Sequence, residues 1–269
     1  MATTTSLPRA GRRASRPRGF GRLLWTEAKV WLRGSELFWV LLFPTVLIMG
    51  QAAISAELRG VATGDTWAGT PFYGVSVINV ILPAMLAMPI GIIALTILPV
   101  AFGGFREKGV LKRLSATPMR PQSMIGAHFL INVAGAVGGA LLAVVVTSAL
   151  FQVAVPNNVA LVVLGFVLGM AAMMALGALI SARVSRASTG TAIGNIIFFP
   201  LLLTAGVFTV IEPGTWLYQV ARVSPLGAAS QVMSYGWFGG DSFPWVQIVA
   251  MIAWTVVLTP LAVRLFKWR

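Results

Sequence analysis

The chain has 269 residues, of which 57% are hydrophobic and only 10% are charged, and its mean hydropathy is +0.86. A soluble domain carries about 25% charged residues, so this composition excludes a soluble protein and predicts an all-α integral membrane protein. The absence of cysteine excludes a disulfide framework and thiol chemistry. The net charge of +13 is typical of proteins that bind nucleic acid, but no soluble stretch of this chain is long enough to form a domain that would do so.

The first 34 residues predict two segments that do not cross the membrane. Residues 1–19 are rich in Arg, Ser, Pro and Thr, which is typical of disorder, and we interpret them as a basic cytoplasmic tail. In residues 20–34, apolar side chains that include Leu23, Leu24 and Trp31 recur at helical spacing opposite a polar and basic stripe. This pattern predicts an amphipathic helix in the membrane interface. The alternative is that it extends the first span.

Residues 35–269 are predicted to form one transmembrane domain of six helices. Each span needs roughly 20 apolar residues to cross the bilayer. The third and fourth spans share one uncharged run, and Pro156-Asn157-Asn158 is the expected turn between them. The spans are expected at about 37–56, 79–103, 124–151, 159–181, 192–211 and 245–266.

The distribution of charge predicts the orientation of these spans. If both termini are cytoplasmic, every basic residue except Arg59 and Arg222 lies on the cytoplasmic side. Basic residues concentrate in cytoplasmic loops, so this orientation is favoured, and it explains the net charge without nucleic acid. Because Ala, Gly, Val and Arg are frequent, we expect a multi-pass protein of a bacterial cell membrane.

The loop between the second and third spans, Phe105–Pro121, carries five basic residues and one acidic residue between two apolar runs. Val110, Leu111 and Leu114 share one helical face, and basic residues occupy the rest. A solvated topology signal does not need an apolar face. We therefore predict a cytoplasmic amphipathic helix on which a soluble partner acts, with the solvated loop as the alternative.

The loop between the fifth and sixth spans, 212–244, is predicted to be external, and it is long and partly apolar. Its aromatic residues suit a membrane interface. We expect short re-entrant helices that dip into the outer leaflet and return. Backbone at that depth must be buried in protein or face water, which implies a cavity mouth or a subunit contact.

The spans offer little for catalysis or metal binding. They contain no acidic residue, and His128, for which a structural role is expected, is their one titratable base. Acid–base catalysis needs a titratable pair, ion-coupled carriers usually place ionisable residues inside the bilayer, and no phosphate-binding motif is present. We expect no catalytic residue, cofactor or metal in this chain.

Polar and aromatic residues within the spans are candidates for a substrate path, although the polar ones also suit hydrogen bonds between helices. Three Gly-x-x-x-Gly pairs, at 135 and 139, 165 and 169, and 190 and 194, permit close helix contacts. The candidate path residues are Phe38, Phe43, Gln51, Asn79, Asn195, Phe198 and Phe199.

Two motifs resemble the membrane subunits of type-2 ABC transporters, and more narrowly the daunorubicin-resistance-type permeases. The segment Arg106–Pro118, REKGVLKRLSATP, is similar to the family's RE, GT, RL and TP pattern, with Val110 in place of the usual Thr. In the external loop, Val223–Leu226 is similar to the family's NPL, with Ser224 in place of Asn. Together with six spans, the resemblance covers nearly the whole chain from about Phe20.

The resemblance implies a permease subunit that pairs with a second permease, identical or homologous, and with two copies of a separate ATPase that binds ATP and Mg. It implies that Ser224, Pro225 and Leu226 belong to the external re-entrant helices and that the Phe20–Arg33 helix flanks the cytoplasmic segment. Membrane lipid is a further expected partner. The cytoplasmic segment becomes the coupling helix on the ATPase, through Arg106, Glu107, Lys108, Val110, Leu111, Lys112, Arg113 and Leu114.

The implied function is efflux of a hydrophobic or amphipathic substrate, either a drug-like natural product or a lipid, and hence antibiotic resistance. The alternative is a membrane scaffold or channel that transports nothing by ATP hydrolysis.

Overall fold

The structure is a computed structural model that describes residues 20–34, 37–54, 77–109, 121–151, 155–208, 211–212, 214–240 and 242–265. All regular structure within these ranges is helical. The elements are α1 (Phe20–Arg33), a π-helical turn (Phe38–Leu42), α2 (Phe43–Ile54), α3 (Val77–Gly91), a second π-helical turn (Ile92–Ile97), α4 (Leu98–Glu107), α5 (Pro121–Phe151), α6 (Val159–Arg183), α7 (Ala187–Ala205), α8 (Trp216–Val223), α9 (Pro225–Phe238) and α10 (Trp245–Leu265).

Five helices in the described part of the chain are long and apolar enough to cross a membrane. They are α5, α6, α7, α10 and the continuous stretch Val80–Glu107, called span two below, which runs through α3, the second π turn and α4. A sixth is added if Leu24–Arg33 and Phe38–Leu47, which are bent by 70°, count as one broken span. The protein is therefore a multi-pass helical membrane protein.

The bend after α1 bears on the first predicted span. The 70° angle sets α1 apart from the apolar helix that follows, so α1 is not a straight extension of that helix. The helix of the first predicted span, 37–56, is described as far as Ile54, and residues 55 and 56 lie outside the described residues.

The fifth span differs most from its predicted position. The apolar run suggested 192–211, whereas α7 runs from Ala187 to Ala205. It ends at Gly206, whose φ of +81° is the left-handed conformation that stops a helix. It also begins before the predicted start. The prediction began at residue 192 because exposed Ser188 and Thr191 in the first turns of α7 lower the hydropathy there.

Span two forms the centre of the bundle. Its apolar stretch is 89% buried, against 28–44% in the other four spans, and it packs against α2, α5, α6, α7 and α9. Its largest side chains, among them Met85, Met88, Ile90 and Ile93, are almost fully inaccessible. Span two therefore faces protein on all sides, whereas the other spans expose apolar faces that suit lipid.

The π turn of span two lies where two glycines let the neighbouring helices come close. A π turn shifts backbone carbonyls out of the regular α-helical pattern. A methyl group on Gly177 of α6 would collide with the carbonyl oxygen of Ala94, and one on Gly194 of α7 would collide with that of Leu95. The contacts require glycine because any side chain would separate the backbones.

The three Gly-x-x-x-Gly pairs confirm the predicted close helix contacts. The first pair, on α5, receives the ring of Trp31 and the carbonyl of Val40. The second pair, on α6, lies against α9, and the third, on α7, lies against span two. These glycines therefore fix how α5, α6 and α7 approach their neighbours.

We predict that Gly177→Ala and Gly194→Ala each destabilise the protein by about 1–3 kcal/mol, because the added methyl group overpacks a backbone contact. Gly126→Ala on α5 is the matched control, since its methyl group meets no atom within 4 Å. Thermal unfolding in detergent measures the difference. Equal melting temperatures for Gly194→Ala and the control would contradict this packing.

Candidate functional site

The end of span two holds the C-terminal end of α6. The Arg106 guanidinium donates hydrogen bonds to the backbone carbonyls of Ser181, Val184 (2.6 Å) and Ala182 (3.4 Å). Carbonyls at a helix C-terminus have few partners within the helix, and a cation there also complements the helix dipole. Arg106 therefore caps α6, although it lies 75 residues before Ser181 in the chain.

The next residue caps the following helix. Glu107 accepts a hydrogen bond through Oε2 from the backbone N–H of Ala187, at 3.2 Å, and Ala187 is the first residue of α7. The N-cap residue of α7, Arg186, makes no side-chain capping bond, so Glu107 supplies one. A carboxylate at a helix N-terminus is also electrostatically favourable.

The other residues of the implied coupling segment continue from this end of α4. Lys108 is exposed, and Gly109 turns the chain with a φ of +65°. Val110, Leu111, Lys112, Arg113 and Leu114 lie outside the described residues. Arg106 and Glu107, which the resemblance assigned to the ATPase, make the contacts described here with the α6–α7 junction of their own chain.

Aromatic side chains join α4 to α5 at the same end of the bundle. The ring of His128 lies edge-on to Phe105 and Phe102, with centroid distances of 5.9 and 6.5 Å. His128 is buried, and its carbonyl accepts from the side chain of Asn132 at 2.8 Å. This packing suits the structural role expected of His128.

The amphipathic helix α1 rests on α5 through one face. Trp31 is buried over Gly135, and Leu24 is half-buried. Trp25 and Lys29 are exposed and form a cation–π contact of 5.3 Å. The side chain of Leu23 lies outside the described residues. Helix α1 therefore combines a protein contact with a free face that suits the membrane interface.

The candidate path residues of the first span form an aromatic row. Trp39 lies edge-to-face between Phe38 and Phe43, with centroid distances of 5.4 and 4.9 Å. Phe38 is exposed and Phe43 is half-buried. The side chains of Gln51 and Asn79 lie outside the described residues.

The candidate residues of α7 point in different directions. Phe198 is buried and its ring covers Gly91 of span two, whereas Phe199 is 59% exposed and Asn195 is half-buried. The structure therefore assigns Phe198 to the core and leaves Asn195 and Phe199 on the outer side of α7. Among the side chains that the structure describes, the predicted path residues are not gathered into one pocket of this chain.

The outer side of α7 carries a polar row of which sequence reasoning predicted only Asn195. Ser188, Thr191 and Asn195 follow one another at helical spacing and lead to Phe199, and Ser188 and Thr191 are exposed. Polar groups in a membrane span usually face protein or a water-filled cavity. Sequence reasoning left residues 187–191 outside the fifth span because of their low hydropathy. The helical spacing of Ser188 and Thr191 ahead of Asn195 was the signal that could have identified the row.

The motif Val223–Leu226 is the junction between α8 and α9. Ser224 is the N-cap of α9: its Oγ accepts from the N–H of Gly227 at 3.1 Å and donates to Thr204 Oγ1 of α7 at 2.9 Å. Pro225 occupies the first turn, where no N–H is needed, and Leu226 is fully buried. Asn and Ser cap helices about equally well, which explains why Ser224 replaces Asn here.

Helix α9 lies deeper in the protein than a segment at the lipid surface would. Eleven of its residues are buried, and it packs against α3, α6, α7 and α10. Ser230 donates to the carbonyl of Ala205 at 2.8 Å, near the last turn of α7. The backbone of α9 is therefore buried in protein, as its apolar composition requires.

A small cavity of about 50 Å³ lies beneath α8 and α9, and its lining includes the polar side chains of Thr204, Tyr218, Ser230, Gln231 and Ser234. Burial and the contact with the Tyr235 hydroxyl at 3.5 Å raise the pKa of Tyr218, so its phenol stays protonated at neutral pH. A drug-sized ligand needs about 300–1,000 Å³, which this cavity does not provide.

No group of three or more His, Cys, Asp or Glu side chains among the described residues is placed to hold a metal ion.

Residues 18–238 match the protein family described as ABC-2 type transporter. The chain belongs to this family. The chain matches none of the curated proteins with which it was compared. As an ABC-2 membrane domain, it is the permease component of an ABC transporter, and nucleotide binding belongs to a different kind of domain.

For this ABC-2 permease we predict that Ser224→Ala lowers stability by about 0.5–2 kcal/mol, because α9 loses its N-cap, and that Ser224→Asn keeps the wild-type value. Ser242→Ala, an exposed position outside the helices, is the control. Melting temperatures in detergent measure the effect. The capping role is wrong if the Ala and Asn variants at position 224 melt together.

Proposed function

We propose that this permease is the membrane subunit of an ATP-driven exporter of the daunorubicin-resistance type, which moves a hydrophobic or amphipathic substrate outward across a bacterial cell membrane. The observation that carries the proposal is the position of the cytoplasmic segment. It follows Glu107 directly, at the end of the most buried span, and returns to the membrane at Pro121. A force on this segment acts on the centre of the bundle.

The partner that exerts this force is an ATPase subunit, present in two copies and holding ATP and Mg. Because Arg106 and Glu107 bond within their own chain, the docking contacts fall to Lys108 and to the apolar and basic residues that follow. A small apolar face surrounded by cations suits a groove with an acidic rim, since complementary charge orients such encounters.

A second permease subunit, identical or homologous, completes the path. In the polar row of α7, Ser188 and Thr191 are exposed and Asn195 is half-buried, and such a row favours a water-filled or protein-covered surface over lipid. We assign Asn195 and Phe199 to the wall of a path between the two subunits. The aromatic row of the first span, Phe38 to Phe43, offers an apolar surface at the edge of the membrane.

The substrate class follows from what these surfaces can bind. The exposed side of α7 offers hydroxyl, amide and aromatic groups without formal charge. These groups suit a drug-like natural product or a lipid, because a charged substrate would enter a low-dielectric site without a counter-charge. Efflux of such molecules confers resistance to toxic ones.

Docking of the ATPase is tested by Lys112→Glu combined with Leu114→Asp. The variant reverses one charge and places a second charge within the apolar face. We therefore expect it to lose most of the ATPase that co-purifies with the tagged wild-type permease. Arg264→Glu, a charge reversal at the end of α10 on the same side of the bundle, is the control and should keep the ATPase.

Two results would argue against this role. Full ATPase recovery with the double variant would show that the segment does not dock the ATPase. A wild-type permease that never co-purifies with an ATPase would favour the scaffold or channel.

The path is tested by thiol labelling, for which the cysteine-free chain provides a silent background. We expect a water-soluble maleimide to label Asn195→Cys and to leave Val256→Cys unlabelled. Val256 is 65% exposed on α10 and faces lipid in this proposal, where no thiolate forms. Equal labelling of both positions, or no labelling of Asn195→Cys, would remove α7 from the path.

A further inference from the structure

The contacts of Arg106 and Glu107 indicate a role for these two residues other than docking. This role rests on the function proposed above. We infer that they form a transmission clasp, by which a movement of the cytoplasmic segment is passed to α6 and α7, and that they do not serve as docking residues for the ATPase. Here "clasp" denotes the bonds of these two side chains to Ser181, Ala182, Val184 and Ala187.

The clasp holds two helix ends from one turn of a third helix. Adjacent residues on a helix point in directions about 100° apart, so Arg106 reaches the carbonyl end of α6 while Glu107 reaches the N–H end of α7. The charges are the right ones for those ends: a cation at a C-terminus and an anion at an N-terminus. Exchanging the two residues would place each charge against the wrong end of a helix dipole.

The backbone around the clasp leaves little room for independent movement. One turn before Arg106, a methyl group on Gly103 would collide with the carbonyl oxygen of Arg186 in the α6–α7 junction. Further along, a methyl group on Gly190 of α7 would crowd the carbonyl of Pro99. Helix α4 therefore lies directly on the junction, and the clasp fastens it there.

The clasp is also next to the segment that receives the force. Glu107 is the last residue of α4, and the chain turns at Gly109. A displacement of the segment reaches the clasp within two residues, before any flexible stretch of the described chain intervenes. On the other side of α4, Phe105 packs against His128 of α5, and α5 is joined to the segment by its own N-terminus. The segment thus has two routes into the bundle: directly to α5, and through the clasp to α6 and α7.

The two routes are separated by reporters in the cysteine-free permease, purified as a complex with its ATPase and placed in lipid nanodiscs. A fluorescent thiol label at Ile196→Cys reports on α7, and one at Val145→Cys reports on α5. Both positions are exposed, at 72% and 63%. The measured quantity is the change in label fluorescence on adding ATP with vanadate. The variants are Arg106→Ala and Glu107→Ala, and Arg183→Ala, an exposed basic residue in the last turn of α6, is the matched control.

We expect both clasp variants to keep the ATPase bound and to keep the fluorescence change at Val145→Cys. At Ile196→Cys the change should fall by about fivefold or more, the lower end of typical coupling between sites. Glu107→Gln should restore much of it, since its side-chain oxygen can still accept from Ala187. Arg183→Ala should match the wild type at both reporters.

Three results would overturn the clasp. One is a full change at Ile196→Cys in both variants, which would leave the pair as simple helix caps. The second is an equal loss at both reporters, which would indicate general damage. The third is loss of the ATPase from both variants but not from Arg183→Ala, which would make the pair a docking contact. If Arg106→Ala does not fold, the exposed Glu107 and its Gln variant decide the question.

Failure of the proposed function gives a different pattern. In that case the wild type itself binds no ATPase or shows no nucleotide response at either reporter, and the premise of the clasp falls with it.

Discussion

A helix buried on every side inside a bilayer must satisfy its backbone polar groups within itself or against its neighbours, because no water is present to do so. Span two is such a helix, and it is an irregular one. It contains Pro83, Pro89 and Pro99, each of which removes a donor, and a π turn that displaces carbonyls. Gly177 and Gly194 bring α6 and α7 against those carbonyls, so the irregular backbone of one helix determines where two others lie.

The same requirement recurs at the helix ends. Arg106 and Glu107 cap α6 and α7, Ser224 caps α9 while bonding to Thr204, and Ser230 bonds to the end of α7. Most of these bonds join residues from different helices. These bonds tie the ends of α6, α7 and α9 to neighbouring helices, and α7 is held at its start by span two and at its end by the α8–α9 junction.

Sequence reasoning found the parts of the fold that depend on local composition. Long apolar runs locate the spans, and the small residues of the Gly-x-x-x-Gly pairs mark helix contacts. It placed the fifth span too far toward the C-terminus. Gly206 ends α7 through its left-handed backbone, and the polar residues Ser188 and Thr191 are not typical of a membrane span. It could not separate Phe198 from Phe199, since adjacent residues face different neighbours only once α7 is docked. Nor could it find the partners of Arg106 and Glu107, which lie 75 to 80 residues away and are mostly backbone groups without a sequence signature.

The functional consequence is a division of labour around span two. Its Glu107 end leads into the segment proposed to receive the ATPase, its middle is held by glycines, and its neighbours α6, α7 and α9 connect it to the opposite end of the bundle. The polar row lies on α7, which is tied both to the Glu107 end of span two and to the α8–α9 junction. A movement that begins at the segment is thus placed to alter the surface proposed to meet the substrate.

The central claim is that this permease works with a separate ATPase. The most direct measurement is to isolate the tagged chain from its native membranes in several mild detergents and to identify what accompanies it by mass. The account predicts a stoichiometric ATPase subunit with a phosphate-binding loop. Reproducible recovery of the permease without any such subunit would contradict it.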